Sequence, residues 1–141
     1  EKIRIGSRFV ETFDDADVAG VIAHELAHTI LAHRKRLEAA KVSYGLLAEV
    51  GRNGRLWRQT EEEADRLSVY LLYNAGFDPK RPAEFWRGPG ARVAGGVLRS
   101  RTHAGPDTRA KSLENEALKI APGATRPLMP SMLASRDQPL S

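Results

Sequence analysis

Residues 14–36 read DDADVAGVIAHELAHTILAHRKR, and their pattern decides the architecture. Acidic residues fill the opening turn, where a helix N-terminus favours negative charge. Val18, Val21, Ile22, Leu26, Ile30 and Leu31 then follow at helical intervals, which predicts one helix from about Asp15 to Arg36. Inside it, His24-Glu25-Leu26-Ala27-His28 forms an HExxH sequence. At about 100° per residue the two histidines lie about 40° apart on one face, so both imidazoles reach a single ion. Glu25 is turned about 100° from His24 and stands beside that ion without being needed as a ligand. Zinc suits this pattern, because hydrolysis needs three protein ligands and one open position, and Glu25 is placed to take a proton from the attacking water.

The third ligand is sought elsewhere. Leu31 and Arg34 stand where HExxHxxGxxH requires Gly and His, which excludes the metzincin pattern. On a continuous helix His33 points about 140° away from His28, so it reads as a packing or helix-surface residue. Downstream, Glu61-Glu62-Glu63-Ala64-Asp65 opens the next strongly helical segment. Glu61 and Asp65 are one turn apart and face the same way, so one can ligate the ion while the other supports a ligand. Glu62 and Glu63 compete for the ligand role, and a solvated acidic first turn is the plain alternative.

Around these segments the chain reads as mainly helical. Lys2-Ile3-Arg4-Ile5 alternates like a short edge strand, with a stop at Gly6-Ser7. A second helical pattern runs from Leu37 to about Val50 and is broken by Gly51, Asn53 and Gly54. Thr60 followed by Glu63 resembles a capping box for a helix that closes at Ala75-Gly76, although that helix can begin a turn earlier. Arg81 to Trp86 adds a short helix, Gly88-Pro89-Gly90 and Gly95-Gly96 mark a flexible loop, and Pro106 to about Ile120 is a last amphipathic helix. Residues 121–141 hold four of the eight prolines and little periodicity, so an extended or disordered tail is expected.

Three stretches resemble the HtpX and CAAX-prenyl-protease type of gluzincin zinc metallopeptidase, in its soluble bacterial branch: HELAHTILAH at 24–33, EEEADRLSVYLLYNAGFDP at 61–79 and RTHAGPDTRAKSL at 101–113. The resemblance spans residues 2 to 118 in the family's order. It implies a compact zincin-like helical domain over residues 1–120, α+β through a small edge sheet near the active-site helix, with part of an N-terminal platform lying before this chain. It implies one zinc per chain on His24, His28 and Glu61, Asp65 orienting His24, and His103 and Arg109 as the counterparts of a loop histidine and the arginine that follows it. In this chain Ala104-Gly105-Pro106 follows His103 where the family shows Pro directly. His103 would donate to the developing oxyanion or cover the zinc, and Arg109 would hold that loop by pairing with a carboxylate. The implied activity is endopeptidase cleavage of extended or misfolded protein segments, received by strand addition at the edge sheet, in the bacterial envelope or periplasm. The alternative is a zinc-containing, chaperone-like or latent module that binds unfolded chains.

Composition narrows the rest. In 141 residues, 41% hydrophobic and 28% charged, there is material for one modest core. The absence of cysteine excludes disulfide scaffolds, thiolate zinc sites and cysteine nucleophiles, so a metal here binds nitrogen and oxygen. Lys and Arg exceed Asp and Glu by a net charge of +4, with the signs interspersed, which argues against nucleic acid as a partner. No apolar run approaches the roughly 20 residues of a bilayer span. Polypeptide is the expected partner, and composition carries no signal of oligomeric state. Trp57, Phe77, Phe85 and Trp86 read as core, and Arg34-Lys35-Arg36 as a solvated helix end.

Overall fold

A computed structural model describes residues 2–42, 50–94 and 105–141. Its elements in order are α1 (Ser7–Thr12), α2 (Asp15–Ile30), α3 (His33–Ala39), α4 (Gly51–Asn74), α5 (Arg81–Arg87), α6 (Pro89–Ala94), α7 (Pro106–Ala117) and a 3-10 helix over Ser131–Asp137. The protein is mainly helical, and no strand occurs among the described residues. The expected edge strand at Lys2–Ile5 is therefore corrected: the segment is irregular and largely exposed, and without a second strand to accept its backbone hydrogen bonds the alternating pattern has nothing to pair with.

Helix α2 begins as its sequence dictates, with the Asp14 side chain accepting from the backbone N–H of Asp17 at 2.9 Å. Arg81 of α5 reaches back to Asp17 at 2.9 Å and ties the start of α2 to α5. The principal interface is α2 on α4, where Ala27, Ala64, Leu67 and Leu31 form one buried cluster. Small side chains at the crossing let two helix axes approach closely. Val69 of α4, Ala83 of α5 and Leu113 and Ala117 of α7 make a second cluster, and Leu37, Val42, Leu56 and Leu140 a third.

Four further expectations are revised. The helix predicted from Asp15 to Arg36 ends at Ile30, because Ala32 takes the left-handed conformation (φ 53°, ψ 36°) and α3 sets off in a new direction. Helix α4 starts at Gly51 and runs through Gly54 and Thr60, so Thr60 is a buried interior residue whose hydroxyl donates to the Trp57 carbonyl at 2.7 Å rather than a cap. Pro89 and Gly90 open α6 in place of a loop, and a Cβ at Gly90 would come within 2.5 Å of the Phe85 ring. Arg36 is buried, not solvated.

Residues 121–141 are irregular apart from the 3-10 helix at Ser131–Asp137, and they pack on α3 and α4. Asn74 exchanges two hydrogen bonds with the Leu128 backbone at 2.9 and 2.7 Å, Tyr73 donates to the Ala124 carbonyl at 2.6 Å, and Arg36 donates to the Gln138 carbonyl at 2.9 Å. Met132 and Leu133 rest on the α2–α4 cluster, and Leu140 is buried.

Ala32 pays for its left-handed backbone with a Cβ that crowds its own carbonyl. Ala32→Gly is expected to raise the unfolding free energy by about 1 kcal/mol, net of the extra freedom glycine gains when unfolded. Urea denaturation checks this, and a destabilised Ala32→Gly would contradict a left-handed residue at this position.

Candidate metal centre

The α2–α4 crossing brings the two sequence motifs together. Ala27 sits in the turn between His24 and His28, and Ala64 in the turn between Glu61 and Asp65, so the same contact that buries both methyls opposes the two functional faces. His24 Nε2 and His28 Nε2 lie 3.1 Å apart, His24 Nε2 is 3.3 Å from Glu61 Oε2, and His28 Nε2 is 3.5 Å from Glu61 Oε1. A tetrahedral zinc with bonds of about 2.0 to 2.1 Å places neighbouring ligand atoms about 3.3 Å apart. The donor set of two imidazoles and one carboxylate, with its ligand atoms within 4.8 Å of one another, fits that ion in number, chemistry and spacing.

His24 turns its other nitrogen, Nδ1, to Asp65 Oδ1 at 2.9 Å. Arg109 of α7 grips the same carboxylate through both oxygens, at 2.8 and 2.6 Å, while its guanidinium lies 4.0 Å over the Trp86 ring. Burial opposes a charged Asp65, but the hydrogen bonds from His24 and Arg109 hold its carboxyl below the usual range. Burial likewise opposes a charged His24, yet Asp65 and Glu61 prevail and its pKa is pushed up to about 9. At His28 burial prevails and pushes the imidazole down to about 4.

Glu25 is exposed on the wall of a cleft of about 640 Å³ that also includes His24, His28 and Glu61, with Trp57, Phe85 and Trp86 among its apolar lining. His103 lies outside the described residues. Glu63, which competed with Glu61 as a ligand in the sequence, is committed elsewhere: it accepts from His33 Nε2 at 3.0 Å, from Arg36 at 2.5 Å and from Gln59 at 2.9 Å. His33 is a packing residue, as its sequence position suggests, but it does not point away from His28. With the helix broken at Ala32, it is only 2% exposed and its Nδ1 lies 2.8 Å from His28 Nδ1.

No family model, curated protein or solved structure matches the chain. The site's proton inventory has a measurable consequence. Without metal, the raised pKa of His24 adds stability that is fully present below pH 6.5 and is lost as pH rises through about 9. A divalent ion must displace that proton, whereas His28 carries none above about pH 4. Between roughly pH 5.5 and 7.5 the zinc dissociation constant should therefore fall about tenfold per pH unit, one proton released per ion. Calorimetry in buffers of different ionisation enthalpy reads the proton count, and a count of two would contradict the assignment.

Proposed function

We propose that the chain is a zinc-dependent endopeptidase of the HExxH gluzincin type, cleaving extended or misfolded protein segments. The observation that carries this reading is the convergence of His24 Nε2, His28 Nε2 and Glu61 from two helices on one point, with Glu25 on the adjoining cleft wall. Zinc bound there supplies a Lewis acid that polarises a scissile carbonyl and acidifies water. The chain's own groups do the rest. His24, His28 and Glu61 hold the ion, while Asp65, clamped by Arg109, fixes the ring of His24. The Glu25 carboxylate accepts a proton from the attacking water and delivers it to the departing amine. By resemblance, His103 is the proposed donor to the oxyanion.

Substrate binding is assigned to the cleft that adjoins the His24, His28 and Glu61 cluster. Trp57, Phe85 and Trp86 give it apolar walls, which favour the exposed apolar side chains of unfolded polypeptide. No described helix is long and apolar enough to cross a membrane.

Glu25→Gln keeps the ligands and removes the base. It is expected to retain one zinc per chain while turnover of an unfolded protein or internally quenched peptide falls about 10²- to 10⁴-fold. Glu61→Ala should instead lose zinc. Unchanged turnover in Glu25→Gln would overturn the mechanism, and a zinc-loaded wild type that binds unfolded chains without cutting them would replace the protease with a binding module.

A further inference from the structure

We propose that His33 is a positioning residue for the metal centre, fixing the tautomer and ring plane of His28 through a relay that ends on Glu63 and Arg36. The proposal rests on the metal-binding reading above and concerns a residue that reading does not use.

Glu63 as a carboxylate can only accept, and it is held from three sides by His33 Nε2 at 3.0 Å, Arg36 at 2.5 and 3.3 Å and Gln59 at 2.9 Å. The proton of a neutral His33 therefore sits on Nε2, which leaves Nδ1 a bare acceptor. His28 Nδ1 stands 2.8 Å from that acceptor, so it must be the donor, and His28 Nε2 is left with its lone pair. That lone pair is aimed at the point where His24 Nε2 and Glu61 also converge. The opposite tautomer would put a proton where a ligand bond is needed and leave two acceptors facing each other at Nδ1.

The surroundings make this arrangement rigid. His33 and Arg36 are 2% and 6% exposed, and Arg36 is itself held by the Gln138 carbonyl at 2.9 Å. The rings of His28 and His33 meet edge to face, with centroids 4.9 Å apart and planes 75° apart. The helix break at Ala32 is the device that makes the contact, because on a continuous helix the two rings diverge by about 140°. Each metal-facing histidine is thus backed by an acid and an arginine: His24 directly by Asp65 and Arg109, His28 through His33 by Glu63 and Arg36.

Two readouts on the full chain test this. Long-range proton–nitrogen NMR of the metal-free wild type should show His28 protonated at Nδ1, and a proton found at Nε2 instead overturns the proposal. Zinc affinity, measured against a competing chelator, should fall about 10- to 100-fold in His33→Phe, which keeps a ring but offers no acceptor. His33→Gln, whose amide can accept from His28 and donate to Glu63, should recover most of that loss. A folded His33→Phe with wild-type affinity, or a His33→Gln as weak as His33→Phe, overturns it. Should His33→Phe not fold, a wild-type His28 protonated at Nδ1 together with near-wild-type affinity in His33→Gln supports the relay, and the failure of either overturns it. A wild type that binds no zinc would defeat the proposed function, while the tautomer of His28 in the metal-free chain still bears on His33 alone.

Discussion

Close approach of α2 and α4 at Ala27 and Ala64 is the constraint on which the rest of the molecule depends. Neither methyl is exposed at all, and each lies within the helical turn that separates two functional side chains. A larger residue at either position would push the axes apart, since the separation of packed helices is set by the side chains at their contact. Imidazole and carboxylate reach only a few ångströms, so a shift of one ångström at the crossing would pull Glu61 out of the 3.3 and 3.5 Å distances it keeps to the two histidines. Leu31, Leu67, Met132 and Leu133 surround the alanine pair and hold the spacing from outside. Packing and chemistry are here the same contact, viewed from two sides of each helix.

Two of the carboxylates behind the site are each met by an arginine. Asp65 is met by Arg109 and Glu63 by Arg36, and all but Glu63 are among the buried residues. Such pairs add little net stability, because desolvation consumes most of the attraction, but removing one partner leaves a costly orphan charge. Their value lies in position. Arg109 comes from α7 and Arg36 from α3, so two further elements must be in place before either histidine is oriented. When no metal is present the hydrogen bonds diverge from His24: charged, it donates to Asp65 from Nδ1 and, from Nε2, toward His28, whose own Nδ1–H continues to His33.

Where local chemistry governs, the sequence foretold the structure closely. Helix α2 opens at Asp15 with acidic residues in its first turn, Pro106 opens α7, and Gly76, at φ 88°, follows the end of α4. The HExxH spacing and the one-turn separation of Glu61 and Asp65 put four side chains on facing surfaces, as helical geometry requires. Errors arose where distant contacts outweigh local preference. Nothing in Leu31-Ala32 signals a break, for alanine is the strongest helix former. The chain turns there because Leu31 enters the α2–α4 cluster while His33 and Arg36 close on Glu63. Gly51, at φ 59°, does mark a helix boundary, since α4 begins there, yet α4 runs through Asn53 and Gly54, with Gly54 and Leu56 buried against the body of the fold. The terminal segment carries little periodicity in its sequence, and its anchors at Tyr73, Asn74, Gln59 and Arg36 lie 51 or more residues away.

That terminal segment has a consequence for the site. Arg36 donates through Nε to the Gln138 carbonyl and through its terminal nitrogens to Glu63, so one guanidinium joins the end of the chain to the carboxylate behind His33. Gln59 repeats the pattern, accepting from the Ser141 backbone at 3.2 Å and donating to Glu63 at 2.9 Å. Leu140 fastens the segment between these two links by burying its side chain with Leu37, Val42 and Leu56. Arg36, Leu37 and Gln138 hold this corner from α3 and the end of the chain. Their contribution is to make Glu63 immobile, and an immobile Glu63 gives His33 only one way to face His28.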